Sequence, residues 1–291
     1  MSTATDGFRA MGTDVSLIGP DGHAAFEAAT AAVRTTFERE EARCSRFLGD
    51  SELSRVNAAA GAEVVVSEGF ARIVSLALEA ARRTDGRFDP TVLPAVVAAG
   101  YDREFDEILA GARAGLRPAT PCGRWREIRL TGTSLRLPHG VGLDLGGIAK
   151  GWTVDLAAEA AIAAGLPWAI VNAGGDLRLA GTPPEEGLEV AVEDPEDRSA
   201  ELLHLRLRSG ALATSSVTRR AWGPGLHHLI DPSTGLPSSG AVMQATAWAP
   251  TCTEAEVAAK DALLSGPAAL QGTAGVLVLR DGDVHTNLEA A

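Results

Sequence analysis

The stretch GLDLGGIAKGWTVDLAAEAAIAAGLPWAIVNAGGDLRLAG, residues 142–181, contains each kind of element from which the chain is built. The apolar run 143–145 enters Gly146-Gly147, and an Ala-rich segment follows over 148–164, so the spacing predicts a strand, a turn and a helix. Beyond Pro167 two apolar runs flank Gly174-Gly175-Asp176, the pattern of a hairpin turn. Working upstream, residues 8–18 alternate enough for a strand, and 23–47 read as a long amphipathic helix. A second helix is predicted over 67–83, with Ser67 as its N-cap and Asp85-Gly86 as its stop, and 128–137 read as a hairpin. Downstream, WAIVNAG, LEVAVE, LLHLRLR, ALATSS, HHLID and AVMQATAWA are short β-type runs punctuated by Gly, Pro and Asp, followed by a helix over 254–264 and a closing strand, GVLVLR. Helices early and strands late predict an α+β architecture. The most linker-like stretch, TPPEEG at 182–187, is a loop too short to separate independent domains, so 1–291 reads as one domain.

Composition narrows the partners. A formal net charge of -12 without any dense Lys/Arg run disfavours nucleic acid and anionic membrane surfaces, both of which require concentrated positive charge. The opening residues carry neither a basic nor an apolar leader pattern, and no segment has the apolar length of a membrane span, so the expected location is the cytoplasm. Three scattered cysteines suggest neither a disulfide framework nor a zinc site. Of 26 basic residues only Lys150 and Lys260 are lysine, so a compact ammonium stands at two places in a chain that otherwise uses the planar guanidinium.

Several segments carry chemistry. Gly146-Gly147 leading into a helix presents backbone N–H groups and the positive helix end to an anion, and Lys150 lies in the first turn. The segment GRFDPTVLPAVVAAGY, 86–101, sets Asp89 and Thr91 around Pro90 and ends on the only tyrosine, Tyr101. HHLIDPSTG, 227–235, offers two histidines beside Asp231; neighbours in an extended strand point to opposite faces, so one at most serves a pocket, as a general base or phosphate ligand. Glu256 and Lys260, four apart, share one helical face.

Taken in order, FRAMGT, CSRFLGDSELSRVN, GRFDPTVLP, LDLGGIAKGWTVD, VNAGGDLRLAG, LATSS, HHLIDPSTGLP and AEVAAKDALLSG resemble the ApbE-like FAD:protein FMN transferases over residues 8–266. The resemblance implies a mixed β-sheet core with flanking helices and an enzyme that cleaves FAD, attaches FMN to a Thr or Ser hydroxyl of an acceptor flavoprotein and releases AMP, usually with Mg²⁺. It implies that Met11, Phe47, Ala99, Gly100 and Tyr101 line the flavin or adenine pocket and that Asp144 and Lys150 hold FAD. His228 would bind FAD and act at the phosphate, with Asp231 ordering its loop and Lys150 neutralising charge. Gly147, Glu256 and Ala259 are the implied metal positions, but Lys260 stands where relatives commonly carry a metal-binding threonine, and a lysine cannot ligate Mg²⁺. The same residues with water as acceptor would make an FAD pyrophosphatase, and without chemistry an FAD-binding protein.

The lysine usage makes the first prediction. Lys150→Arg keeps the charge yet should lower FAD affinity or turnover by roughly tenfold to a thousandfold, because a guanidinium fits poorly beside the Gly146-Gly147 turn. Equilibrium FAD titration and AMP release check it; a variant indistinguishable from wild type refutes it.

Overall fold

A computed structural model describes residues 2–111, 120–197 and 199–288. They divide into two compact units interleaved along the chain: 1–40, 150–215 and 241–291 form the first, and 41–149 with 216–240 the second.

The first unit is built on an eight-stranded sheet. Its strand order is Thr3–Ala10, Thr13–Pro20, Trp168–Ala173, Asp176–Gly181, Gly210–Ser216, Val242–Ala249, Gly275–Leu279 and Val284–Thr286. Alternation along Trp168–Ala173 sorts its side chains between two cores. Ala169, Val171 and Ala173 meet Val33 and Phe37 of the Phe26–Cys44 helix, Val154 and Ala158 of the Ala149–Ala163 helix and Ala255 of the Cys252–Ser265 helix. Trp168 and Ile170 face the other way, onto Val192, Leu205 and Leu207 of the antiparallel hairpin Leu188–Glu193 and Glu201–Leu207. Coverage of both faces explains why this strand reads as an unbroken apolar run.

Two of these helices cap each other. Asp155 of the Ala149–Ala163 helix accepts the Cys252 and Thr253 N–H groups at 2.8 and 2.9 Å and the Thr253 hydroxyl at 2.6 Å, at the start of the Cys252–Ser265 helix. Glu256 of that helix returns the contact, accepting the Gly151 N–H at 2.9 Å. Each carboxylate thereby satisfies orphan donors at a positive helix end. Gly151 makes this approach feasible: a Cβ there would lie 2.5 Å from the Cys252 carbonyl oxygen.

The second unit contains the helices Glu52–Ala58, Glu68–Arg83, Leu93–Ala98 and Phe105–Ala110 and a small antiparallel sheet of Glu63–Val65, Ser134–Arg136 and Arg129–Thr131. Ser67 caps the Glu68–Arg83 helix as expected, accepting the Phe70 N–H, and Gly86 follows its end at φ +83°. A core of Ala95, Val96, Tyr101, Ile108, Trp222 and Ile230 joins this unit's two chain segments.

Three expectations change. Residues 8–18 are not one strand: Met11 and Gly12 take φ of 51° and 67° and turn the chain between two antiparallel strands. The long helix is Phe26–Cys44 and not 23–47. The run 143–145 joins no sheet; the Asn57 side-chain amide accepts the Leu143 N–H at 2.7 Å and donates to its carbonyl at 2.9 Å, standing in for a strand partner.

Gly151→Ala should destabilise the protein by about 1–3 kcal/mol, since the added methyl meets backbone and not a mobile side chain. Chemical denaturation measures it, and wild-type stability would show that the helices separate without cost.

Candidate functional site

In the second unit the site begins with a helix ending. The Leu93–Ala98 helix closes with Gly100 at φ +100°, the Gly100 N–H donating to Val97 and the Tyr101 N–H to Val96, at 3.0 and 3.1 Å. Only glycine takes this left-handed position without penalty, and it swings Tyr101 into a cluster of rings. Tyr101 lies 5.5 Å from Trp222 and 5.8 Å from Phe47, centroid to centroid. Arg46 lies over Phe47 at 4.2 Å and over Tyr101 at 4.4 Å, and donates to the Tyr101 carbonyl at 2.8 Å. Its Nε is 3.4 Å from Asp144, whose other oxygen accepts the Gly146 N–H at 2.7 Å. Ala99 is buried and its carbonyl accepts the Trp222 indole N–H. Phe47, Ala99, Gly100, Tyr101 and Asp144 are therefore neighbours in this unit, and Gly147 lies in the turn that Asp144 organises. Sequence reasoning missed Arg46, Arg220, which donates to the Tyr101 hydroxyl at 3.2 Å, and Trp222. The first stands beside Phe47 and could have been found by asking what stacks on that ring, whereas the other two come from a distant segment.

The same unit separates the two histidines. His227 is buried; its Nε2 donates to the Ser238 carbonyl at 3.0 Å and its Nδ1 accepts the Leu229 N–H at 3.3 Å, which fixes it as a neutral structural imidazole. His228 is half-buried at a bend between the short strands Leu226–His227 and Ile230–Asp231, so the two histidines do not share one extended strand. Asp231 accepts the Ser233 N–H and hydroxyl at 2.9 and 2.6 Å, and its carbonyl accepts the Thr234 and Gly235 N–H groups, so it orders the DPSTG turn. Asp89 and Thr91 serve structure: both are buried, with Asp89 accepting from Thr91 and from the Gly123 N–H. The Cys122 thiol is pushed up to about 12, by burial first and then by the Asp89 and Asp231 charges, so at neutral pH it is no thiolate nucleophile.

In the first unit the chain's two lysines meet. Lys150, in the first turn of the Ala149–Ala163 helix, pairs with Asp176 and stands 3.9 Å from Glu256. Lys260 pairs with the same Glu256 oxygen at 3.2 Å. The carboxylates are 1% exposed, whereas the Lys150 and Lys260 side chains are 20% and 16% exposed, so the ammonium groups form the outer edge. Burial pushes the Asp176 carboxyl up against the pull of Lys150. Burial also acts to raise Glu256, but Lys260, Lys150 and the Gly151 N–H outweigh it and leave that carboxyl below its ordinary range. Asp176, read from sequence only as part of a hairpin turn, is the residue missed here; a charge opening an apolar strand was the available signal. Its second oxygen accepts the Thr214 N–H at 3.2 Å, and the Thr214 and Thr246 hydroxyls are 2.9 Å apart. Ala259 is fully buried in the helix core, and Met11 packs against the large core from its strained turn.

These side chains do not fit a magnesium ion. Mg²⁺ requires oxygen donors in near-octahedral geometry, but both Glu256 oxygens are engaged, by Lys260 and by the Gly151 N–H, and both Asp176 oxygens by Lys150 and the Thr214 N–H. A divalent ion would also face two fixed ammonium charges.

The model of the ApbE family matches residues 11–275. The FAD:protein FMN transferase of Klebsiella pneumoniae (strain 342) is 30% identical over 304 residues, covering 97% of this chain and 86% of that protein. The Treponema pallidum (strain Nichols) protein of the same name is 30% identical over 266 residues, covering 84% and 72%. That of Rhodobacter capsulatus is 34% identical over 205 residues, covering 66% of this chain but only 38% of its own length. Among solved structures, the ApbE protein of Thermotoga maritima superposes with a TM-score of 0.85 at 25% identity, covering 98% of this chain and 97% of that one. The flavin transferase ApbE from Vibrio cholerae gives 0.83 at 24% identity over the same shares.

Because His227 is locked by two hydrogen bonds, His227→Ala should cost about 1–3 kcal/mol of stability by leaving the Ser238 carbonyl and Leu229 N–H without partners. Denaturant titration checks this; an unchanged midpoint would show that water replaces the ring.

Proposed function

The chain belongs to the ApbE family of flavin transferases, and we propose that it moves the FMN half of FAD onto a Thr or Ser hydroxyl of an acceptor flavoprotein, releasing AMP. The observation that carries this reading is Lys150, an ammonium anchored on the buried Asp176 carboxylate at the start of a helix. It supplies fixed positive charge for a pyrophosphate without reorganising during the reaction. Half-buried Phe47 and the Arg46 guanidinium over it, packed on the buried Tyr101 and Trp222 rings, are the planar groups of this cluster suited to meet an isoalloxazine or adenine ring. The acceptor hydroxyl oxygen attacks the phosphorus on the flavin side of the pyrophosphate. A new P–O bond forms, the bond to the AMP phosphate breaks, and AMP leaves with the electron pair. The hydroxyl proton passes to His228, the half-buried histidine of the HHLIDPSTG motif, and Asp231 holds the turn beyond it.

The family match is continuous across both interleaved units, which supports treating 1–291 as one catalytic domain.

Co-expression with candidate flavoproteins tests the reading: peptide mass spectrometry should find FMN in phosphoester linkage to Thr or Ser, with one AMP released per adduct. Free FMN forming at full rate without acceptor would make the chain a hydrolase, and FAD persisting intact with every acceptor would make it a flavin-binding protein. His228→Ala should lower transfer by about a hundredfold or more while leaving FAD binding within about twofold. Full turnover in that variant removes His228 from the reaction.

A further inference from the structure

The buried carboxylates Asp176 and Glu256 need two positive charges for neutrality, and a divalent cation is the usual source of such a pair of charges beside a pyrophosphate. Here the two charges come from the protein. Lys150 holds Asp176 and reaches to 3.9 Å of Glu256, and Lys260 holds Glu256 at 3.2 Å. The four side chains are ordered by depth, with carboxylates 1% exposed beneath and ammonium-bearing chains 20% and 16% exposed above. The remaining oxygen of each carboxylate is engaged by backbone, through Thr214 and Gly151. Each ammonium carries three donors, and Lys260 uses one of them on Glu256, so its outer face can donate to a phosphate oxygen.

We propose that Lys150 and Lys260 together replace a divalent cation in this chain, neutralising the charge that develops on the departing AMP phosphate, so that FAD cleavage proceeds without added metal. The proposal rests on the transferase reading above and specifies how that site handles its anionic substrate. The acceptor oxygen bonds to phosphorus, the bridging oxygen leaves with AMP, and the two ammonium groups change neither bonding nor protonation. A metal entering the same cluster would have to displace Lys260 from Glu256 and Lys150 from Asp176, against both ion pairs and both backbone contacts.

The experiment has one arm that reads turnover and one that does not. In the first, AMP release and adduct formation are followed in excess chelator and in millimolar Mg²⁺. Wild type should differ by less than about twofold between them, and Lys260→Thr should lose about tenfold or more in chelator and recover with Mg²⁺. In the second, Mn²⁺ is titrated into each protein and free Mn²⁺ is read by electron paramagnetic resonance. Wild type should leave the signal unchanged, and Lys260→Thr and the double variant Glu256→Asp, Lys260→Thr should quench it stoichiometrically. Wild-type activity abolished by chelator and restored by Mg²⁺, or stoichiometric Mn²⁺ quenching by wild type, overturns the proposal. Should both variants fail to fold, these wild-type measurements still decide. Wild type inactive in both conditions with every acceptor would overturn the transferase reading, and the Mn²⁺ titration would still decide whether the lysine pair excludes a metal.

Discussion

The Ala149–Ala163 and Cys252–Ser265 helices are held start to start by exchanged carboxylates, Asp155 going one way and Glu256 the other. A helix N-terminus buried without partners is costly, and here each is satisfied by a side chain of the other helix, so neither can shift without exposing the donors of both. This mutual cap brings Lys150 and Lys260 to the same Glu256 oxygen. It also accounts for the Ala-rich interior of the unit, where Ala157, Ala158, Ala161 and Ala255 are fully buried. Small side chains keep helices and sheet close enough for short carboxylates to reach across.

Glu256 illustrates why geometry decides a residue's role where chemical type does not. As an i, i+4 partner of Lys260 on a helix it could have been half of a surface ion pair, contributing a few tenths of a kcal/mol. At 1% exposure, holding a backbone N–H of another helix as well as Lys260, it is an obligatory structural anion. Its removal would leave a buried helix end and two nearby ammonium groups without their shared counter-charge. Structural anchoring and substrate chemistry therefore act through the same carboxylate, which makes the outer lysines the better place to separate them.

Much of the architecture was legible because it follows from local rules. The Ser67 cap, the hairpin at Gly174-Gly175, the β-rich stretch after Trp168 and the closing helix and strand all announced themselves by turn chemistry and periodicity. What was not legible depended on partners far along the chain. The turn at Met11-Gly12 was hidden because methionine is a poor residue for a positive φ, and its strain is carried by a regular register on both sides. The run 143–145 looked like a strand, but its hydrogen bonds go to the Asn57 amide, 86 residues upstream in sequence, to the Pro90 carbonyl and into the following helix start. In the candidate site, the motif residues of the second unit were recognisable, but the stack of Arg46 on Phe47 and Tyr101 was not, because an arginine between serine and phenylalanine carries no periodic signal.

The lysines join the two levels of reading. Scarcity alone could reflect nothing more than a preference for arginine codons, and two lysines left at random would have no reason to meet. They lie 110 positions apart in sequence and converge on one Glu256 oxygen. Arginine at either place would bring a planar group with five donors to a point contact, with its charge spread over three nitrogens and fewer ways to meet a carboxylate below and a phosphate above. A compact ammonium can turn one donor inward and leave the others outward. That requirement, imposed by two buried carboxylates whose remaining oxygens are already bound to backbone, is a physical reason for the chain to keep lysine at these two positions while using arginine everywhere else.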